Sequence, residues 1–325
     1  MTKKITGIGN AIVDILCKVD DSFLTSQSLV KGSMSLINEK KAIELTKLKM
    51  EKISSGGSVA NTMSILAQMN CDSYFIGKVG SDEFGQKFIK EFEEIGGKFV
   101  GENSYDQASA KSFVLITPDA QRTMCTYLGC APQINMSDID EKNLKNSDFL
   151  YVEGYLWDNP ETIEALRKAI SSAKKRGTKV IFSLSDSFCV SRHKEDFLNL
   201  LPDLDILFAN ESEALELICE KEYSSDKLFE FFSRNSDLIA VVTRSSKGSS
   251  VFGYGSVLEI PTDLIPNILD ATGAGDAFAA GFLYGIINDF DLEKSAKYGN
   301  ILAGNIIQKV GARFSKEEIQ KIKFS

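Results

Sequence analysis

The second half of the chain alternates short apolar runs with longer segments whose apolar residues recur at helical spacing. We predict strands at 149–152, 179–184, 205–208 and 238–243, and helices at 161–176, 195–201, 211–219 and 225–234. Apolar strands that are each followed by a helix are typical of βαβ units, in which parallel strands lie side by side in one sheet. Apolar runs at 5–9 and 74–79 are expected to join this sheet. The pattern predicts an α/β fold with a central, mostly parallel sheet.

Two stretches, 15–37 and 111–128, depart from this alternation, because they are rich in strand-forming residues and no helix is predicted between their strands. In the second stretch, runs at 112–117 and 123–128 flank a polar turn, which is the pattern of a β-hairpin. We predict that the two stretches form a small β-sheet that covers a site as a lid. Since no Pro- or Gly-rich linker interrupts the chain, residues 1–325 are predicted to form a single domain that carries these insertions.

The charge balance excludes several function classes. Lys plus Arg number 37 and Asp plus Glu number 45, so the net charge is −8. A chain this acidic lacks the positive field that non-specific binding of nucleic acid or of an anionic membrane needs, although it remains compatible with a local phosphate site. His193 is the single histidine, which excludes two-histidine zinc sites and HExxH metalloprotease chemistry. Because it stands between Arg192 and Lys194, we expect it to be a solvated loop residue.

Cysteine usage and apolar segments bear on the compartment. The six cysteines are scattered without a CxxC pair, which favours reduced thiols in a cytoplasmic protein, with a Cys125–Cys130 bridge as the alternative. No long apolar run follows the lysines near residue 1, so no secretory signal is predicted. The most apolar segment, 277–288, is too short to cross about 30 Å of hydrocarbon. We therefore expect a soluble cytoplasmic protein with no membrane or nucleic-acid partner.

The motif DATGAGD, residues 270–276, follows an extended segment and opens an apolar helix. Gly273, Ala274 and Gly275 carry minimal side chains, so their backbone amides can close on an anion at the positive end of the helix dipole. Asp276 would stand in the first helical turn beside this anion pocket, where a carboxylate suits a base for an incoming hydroxyl group. The alternative is that Asp276 only caps the helix.

Two further motifs suggest ligand contacts. SGGSVANT, residues 55–62, is a glycine turn before a helix, so Gly57 lets the backbone approach a ligand and Asn61 offers hydrogen bonds. A plain strand-to-helix turn is the alternative. Asn210 and Glu213, in the sequence NESE, follow a predicted strand at the edge where open α/β sheets bind ligands. Glu213 could hold a hydrated Mg²⁺ ion, the two residues could form a capping box, or both could be true.

Other nucleotide-binding and hydrolase motifs are absent from the sequence. Ile12 follows Gly7 and Gly9 where the dinucleotide fingerprint needs its third small residue. The chain has no GxxxxGK[ST] P-loop, no protein-kinase HRD or DFG element and no GxSxG elbow.

Taken together, the motifs occur in the order and spacing of one family. They are GIGNAIVD at 7–14, GGSVAN at 56–61, NESE at 210–213 and DATGAGD at 270–276. On these motifs the chain resembles the PfkB (ribokinase-like) carbohydrate and nucleoside kinases over essentially its full length. It is most similar to their adenosine kinase branch through GYLW at 154–157, LSDSF at 184–188 and IQKVGA at 307–312.

The resemblance implies a three-layer ribokinase-like fold with a small β lid, and ATP-dependent phosphorylation of a primary alcohol on a sugar or nucleoside. Asp276 would be the base that takes the proton from the attacking hydroxyl. Gly273, Ala274 and Gly275 would form the anion hole for the transferring phosphoryl group.

The resemblance also assigns the substrate residues. Asp14, Gly57 and Asn61 would hold sugar hydroxyls. Arg122, in the lid turn, is similar to the arginine that reaches the phosphates in adenosine kinases.

Nucleotide and metal residues follow from the same resemblance. Asn210 and Glu213 would organise Mg²⁺ and the phosphate waters, while Thr243, Gly248 and Asn305 would line the ATP pocket.

A monovalent-cation loop is implied as well. Asp270 and Thr272, together with Gly311 and Ser315, are similar to the residues that bind K⁺ in many relatives. Whether this chain needs K⁺ is left open.

Three functions remain under consideration: a nucleoside kinase that makes AMP from adenosine, a kinase for ribose, fructose or a related sugar, and a regulatory protein that binds nucleotide without turnover. An aromatic or apolar slot for a purine would favour the first. Phe113, Trp157 and Phe188 are candidate walls, although each could equally belong to the core. Both a monomer and a homodimer are compatible with the sequence.

Overall fold

The computed structural model describes residues 3–119, 121–139 and 144–324, so Ala120 in the predicted hairpin turn lies outside the described residues. The strands are β1 (Lys4–Ile8), β2 (Ile12–Lys18), β3 (Met34–Leu36), β4 (Met50–Gly56), β5 (Asp72–Ile76), β6 (Val79–Gly80), β7 (Lys98–Phe99), β8 (Asn103–Ser104), β9 (Ala110–Ile116), β10 (Arg122–Tyr127), β11 (Phe149–Glu153), β12 (Lys179–Ser183), β13 (Ile206–Asn210), β14 (Ile239–Thr243), β15 (Ser249–Gly253) and β16 (Ser256–Ile260). The α-helices are α1 (Asp21–Ser26), α2 (Glu39–Leu45), α3 (Ser58–Gln68), α4 (Glu83–Glu94), α5 (Pro160–Lys175), α6 (Ser187–Leu200), α7 (Glu211–Ile218), α8 (Ser225–Phe232), α9 (Ala274–Ile287), α10 (Leu292–Ile306) and α11 (Lys316–Lys321).

Among the described residues, nine strands form a large mixed sheet in the order β16-β15-β14-β13-β12-β11-β1-β5-β7. Neighbours from β14 through to β7 run parallel, whereas β15 is antiparallel to both β14 and β16. Along β11, Phe149 and Tyr151 enter one apolar core while Leu150 and Val152 enter another. Because successive strand residues point to opposite faces, both faces of this sheet are covered. The expected three-layer α/β fold with a mostly parallel central sheet is confirmed.

A smaller sheet of five strands has the order β3-β10-β9-β2-β4 within the described chain. The hairpin expected at 112–128 is the antiparallel pair β9 and β10. The expectation of no helix within 15–37 is wrong, since α1 lies between β2 and β3, with Asp20 accepting a hydrogen bond from the Phe23 amide. A lid role for this sheet and a single domain for the whole chain stay predictions.

The chain passes between the two sheets at two places that lie close together. Residues 9–11 connect β1 in the large sheet to β2 in the small one, and β4 of the small sheet leads through Gly57 into α3. Gly57 has φ = +93°, and a Cβ there would lie 2.1 Å from the carbonyl oxygen of Asn10. Only glycine fits this approach, which brings the two crossings into contact.

Two helices differ from the others because no side chain caps their first turn. Nine of the eleven helices in the described chain begin after a residue whose own side chain accepts a hydrogen bond from their first turn. Helices α3 and α9 instead begin after Gly57 and Gly273, which have no side chain to offer. These are the two helices that open with the glycine motifs singled out above.

Helix α6 corrects two expectations about residues 187–201. It begins at Ser187 rather than near 195, because Asp186 caps it by accepting a hydrogen bond from the Cys189 amide. His193 is therefore a helical residue at a local kink (φ −121°, ψ 22°) and not a solvated loop residue. Its Nε2 lies 2.7 Å from Oδ1 of Asp158.

Candidate active site

The candidate site is a cavity of about 980 Å³ at the carboxyl ends of β11 to β14, bordered by the small sheet. Open α/β sheets bind ligands at this edge. Among the residues expected from the sequence, the cavity is lined by Asp14, Gly57, Asn61, Asn210, Glu213, Thr243, Thr272, Gly273, Ala274, Gly275 and Asp276. Residues from four distant motifs are thus brought to one place.

Asp276 lies in the first turn of α9, where α3 packs against it. Ser58 Oγ donates to its Oδ1 at 2.7 Å, and Asn61 Nδ2 donates to its Oδ2 at 2.9 Å. Burial raises the pKa of Asp276 to about 6, although these two hydrogen bonds and the charge of Arg313 act in the opposite direction. A carboxylate with this pKa is ionised at neutral pH and is a stronger base than an ordinary aspartate.

The start of α9 forms a concave backbone surface beside Asp276. Gly273 is left-handed (φ = +79°), and a Cβ on it would lie 2.5 Å from Cβ of Ala312. A Cβ on Gly275 would meet nothing within 4 Å, so this residue faces open space. Because no residue caps this 14-residue helix with its side chain, its first amides fit an anion such as a phosphoryl group.

Asp14 on β2 faces the same space from the small sheet. Its carboxylate lies against Gly56, where a Cβ would be only 2.4 Å from Oδ2. Burial raises the pKa of Asp14 to about 7; the charge of Arg313 opposes this, and the charges of Asp276 and Asp270 add to it. Asp14 and Asn61 thus present oxygen and nitrogen atoms suited to hydroxyl groups of a ligand.

Glu153 also lines the cavity, although it belongs to none of the sequence motifs described above. Its carboxylate accepts from the backbone amide and Nδ2 of Asn10, each at 2.8 Å, and from the Val59 amide at 2.9 Å. It therefore joins the crossing at residues 9–11 to the start of α3, and burial raises its pKa to about 7. The signal was present, since a carboxylate ends the apolar run FLYVE at the edge where ligands bind.

Arg313, in the segment after α10, is a second residue outside those motifs. Its Nε donates to Asn61 Oδ1 at 2.9 Å, and its Nη2 donates to the Gly56 carbonyl at 3.2 Å. No local pattern in the sequence distinguishes this arginine, because its partners lie about 250 residues away.

Asn210 and Glu213 form the capping box that the sequence predicts as one of their two roles, the other being a Mg²⁺ site. Asn210 donates from its backbone amide and from Nδ2 to Glu213, at 2.9 and 2.5 Å, and the Glu213 amide donates back to Asn210 Oδ1. Burial raises the pKa of Glu213 to about 7. Both residues also line the cavity, where their oxygens are the kind of ligand that Mg²⁺ prefers, directly or through water.

The remaining nucleotide residues are only partly brought together. Thr243 lines the cavity at the end of β14. Gly248 is buried against the strand pair, since a Cβ there would lie 2.1 Å from the Ile260 carbonyl oxygen. Asn305 is exposed on α10, and its amide donates to the Ile301 carbonyl within the same helix. Gly248 and Asn305 are not among the residues that line the cavity.

Arg122 lies outside the cavity lining and forms an ion pair with Asp270. The same carboxylate accepts from the amides of Thr272 (3.0 Å) and Gly311 (2.8 Å), while Ser315 caps α11. Protein donors, one of them a cation, thus occupy the carboxylate that the resemblance assigned to K⁺. A potassium site at these residues stays a prediction, and no step of the reaction described below involves one.

The three candidate aromatic walls separate into two groups. Phe188 lines the cavity with 78% of its surface exposed, whereas Phe113 and Trp157 are fully buried in the core. Apolar residues of the small sheet, Met34, Leu36 and Met124, also line the cavity, as does Leu128 next to β10. The lining therefore includes a polar group with Asp14 and Asp276, the polar end, and an apolar group formed by Phe188 and these four residues, the apolar slot.

The sequence of residues 32–319 matches the model of the pfkB family of carbohydrate kinases. The chain belongs to this family. PfkB membership makes it an ATP-dependent kinase that phosphorylates an alcohol group. The matched sequence includes strands of both sheets and the residues that line the cavity, except Asn10, Ile12 and Asp14.

Individual relatives agree with this assignment. The crystal structure of adenosine kinase from Sinorhizobium meliloti is 36% identical, has a TM-score of 0.86 and overlaps with 96% of each chain. A probable sugar kinase protein from Rhizobium etli is 33% identical, also with a TM-score of 0.86, over 98% of each chain. Adenosine kinase of Saccharomyces cerevisiae is 29% identical over 98% of this chain and 99% of its own length. Proteins named as adenosine kinases and a protein named as a probable sugar kinase are thus both similar to this chain.

Two further observations concern the expected compartment. All six cysteines are free thiols, so the alternative Cys125–Cys130 bridge is not formed. In the described part of the chain, no helix combines the length and the apolar character needed to span a bilayer.

Proposed function

We propose that this PfkB kinase transfers the γ-phosphoryl group of ATP to the primary hydroxyl of a nucleoside, with adenosine as the acceptor and AMP as the product. The observation that carries the proposal is the position of Asp276, a carboxylate with a raised pKa directly beside the uncapped start of α9. A base and an anion site are thereby next to each other, which is what transfer to an alcohol requires.

The chemical step follows from this arrangement. Asp276 accepts the proton of the substrate hydroxyl while the hydroxyl oxygen bonds to the γ-phosphorus. At the same time the bond from this phosphorus to the bridging oxygen of ADP breaks. Backbone amides from Gly273 to Gly275 stabilise the charge on the equatorial oxygens. Asn210 and Glu213 would hold Mg²⁺ through oxygen atoms and water, where it would neutralise phosphate charge.

Substrate orientation is assigned to the polar end and the apolar slot of the cavity. Asp14 would accept hydrogen bonds from ribose hydroxyls, and Asn61 would donate to them. These contacts would turn the primary hydroxyl toward Asp276. Phe188 and the apolar residues of the small sheet would enclose the purine. A free sugar would leave this slot empty, which is why a nucleoside is preferred here.

A substrate panel tests this proposal. Purified protein with ATP and Mg²⁺ is given adenosine, inosine, ribose or fructose, and ADP release and phosphorylated product are both measured. We expect adenosine to have the highest kcat/KM. Ribose or fructose above adenosine would establish the sugar kinase alternative, which the Rhizobium etli relative favours. Binding without product for every acceptor would establish the non-catalytic alternative.

A pH profile tests the ionisation of the base. Because burial raises the pKa of Asp276 to about 6 and that of Asp14 to about 7, we expect kcat/KM to fall by about tenfold per pH unit where one of the two is protonated, and by up to about a hundredfold per unit at lower pH, where both are. A raised carboxylate pKa means that the folded state binds the proton more tightly, so protonation of these groups does not destabilise the fold. A constant kcat/KM down to about pH 5 would contradict the assignment.

Replacement of Phe188 by alanine separates purine binding from ribose binding. Base stacking on an aromatic ring contributes about 1–3 kcal/mol, so Phe188→Ala is expected to raise KM for adenosine by roughly 5- to 150-fold and to leave KM for ribose nearly unchanged. Since Phe188 is 78% exposed, stability should not change. Tyr105→Ala, at a site 88% exposed and away from the cavity lining, is the matched control. Equal effects on KM for adenosine and for ribose would show that Phe188 does not contact the purine ring.

A further inference from the structure

Arg313 lies behind the cavity wall rather than in it. Its guanidinium donates to Asn61 and to the Gly56 carbonyl, and it sits 5.6 Å from the centre of the Phe88 ring. It does not line the cavity, so a bound substrate would meet Asn61 and not the arginine. Any effect of Arg313 on the reaction must therefore come through the groups that it holds or through its charge.

The hydrogen bonds around Asn61 fix the orientation of its amide. An asparagine side chain has one end that accepts and one that donates. Arg313 is only a donor and occupies the Oδ1 side at 2.9 Å, so Nδ2 is directed to Asp276 at 2.9 Å. A flipped amide would set donor against donor at the arginine and acceptor against acceptor at the aspartate.

Besides its hydrogen bonds, Arg313 brings a positive charge close to the two site aspartates. The guanidinium is the positive group that acts on both Asp14 and Asp276, and Glu91 is a further carboxylate that acts on it. Burial lowers the pKa of Arg313 to about 10, so it stays protonated at neutral pH. Its charge lowers the pKa of both site aspartates.

We propose that Arg313 is a positioning residue for phosphoryl transfer, which locks the Asn61 amide so that this amide donates to the base Asp276, and which holds the glycine turn through the Gly56 carbonyl. The proposal rests on the proposed function, because it takes Asp276 as the base. It adds a distant side chain that fixes the donor aimed at that base and whose charge contributes to lowering the pKa of the base.

Two substitutions separate orientation from charge. Arg313→Met keeps a long side chain but removes the donors and the charge, so we expect kcat to fall by about tenfold to a hundredfold and the acid midpoint of the pH profile to move to higher pH. Arg313→Lys keeps the charge without the planar fork, so its midpoint should remain near that of the parent while kcat stays low. Added guanidinium ion should partly restore Arg313→Ala.

Controls distinguish a loss of positioning from a general loss of structure in the Arg313 variants. Arg234→Met, at an exposed arginine beyond α8 that pairs with Glu230, should leave kcat and the pH midpoint unchanged. Circular dichroism and thermal unfolding establish whether each variant is folded. If Arg313→Met does not fold, Arg313→Lys and guanidinium rescue decide the question. Parental kcat and midpoint in any folded Arg313 variant that lacks the planar fork would overturn the proposal.

A double-variant cycle distinguishes this proposal from the proposed function. If Arg313 acts through the base, Asp276→Asn with Arg313→Met should be about as slow as Asp276→Asn alone. Additive losses would overturn the role of Arg313 and leave Asp276 as the base. Parental turnover in Asp276→Asn alone would instead overturn the assignment of Asp276 as the base, whatever the arginine variants show, while the proposed function is tested separately by the substrate panel.

Discussion

Replacement of Asp276 by asparagine is expected to lower kcat by about 10²–10⁴, because the variant keeps the shape of the side chain but cannot accept the hydroxyl proton. Ser58 and Asn61 already donate to this position, so an amide nitrogen there would meet donors and also lose the hydrogen-bond pattern. ATP affinity should change little, since the backbone of α9 is untouched. Steady-state kinetics and a separate nucleotide-binding titration measure the two effects.

The matched control for this variant is Asp106→Asn, an exposed aspartate in the loop before β9. It makes the same chemical change without touching the cavity, and its kcat should equal that of the parent. Should Asp276→Asn retain the parental kcat with adenosine, another group must take the proton, and the proposed mechanism is wrong.

Gly273→Ala is expected to lower kcat by about 10²–10³, the usual loss when one preorganised donor of an anion site is displaced. The new Cβ would lie 2.5 Å from Cβ and 2.8 Å from Cα of Ala312, so the backbone at the start of α9 must move. The left-handed conformation (φ = +79°) adds about 1 kcal/mol of strain. Kinetics and thermal unfolding are measured together.

The control variant Gly255→Ala separates the two effects of Gly273→Ala, namely backbone strain and displacement of the start of α9. Gly255 has φ = +72° in the turn between β15 and β16, and a Cβ there would meet nothing within 4 Å. This control should therefore lose a similar amount of stability to strain but keep the parental kcat. If Gly273→Ala loses stability and not turnover, the start of α9 is a structural turn rather than an anion site.

The sequence was informative wherever the determinants of structure are local. Strands such as β11 and β14 are buried on both faces, so they occur as apolar runs that can be recognised without a structure. The DATGAGD motif holds its glycines and its carboxylate within seven consecutive residues, so their common location is fixed by the turn itself. Helix α6 begins earlier than its apolar spacing predicts, because Asp186 caps it in front of Ser187.

The sequence was uninformative where a role depends on contacts across the fold. The phosphate role of Arg122 stays a prediction; in the structure its partner is Asp270, and nothing near either residue in the chain indicates that pair. Arg313 acquires its position only when the segment after α10 packs behind the glycine turn. Such residues have ordinary local surroundings, so only tertiary structure identifies them.

The glycine that starts α9 closes one common route to a more durable enzyme. Engineers often place a serine, asparagine or aspartate in front of a helix, although the gain over glycine is only roughly a few tenths of a kcal/mol. At Gly273 any side chain would meet Ala312 and would need a left-handed backbone, so the substitution would cost stability and would shift the amides that fit the phosphoryl oxygens. Engineering for heat resistance should therefore leave this turn unchanged.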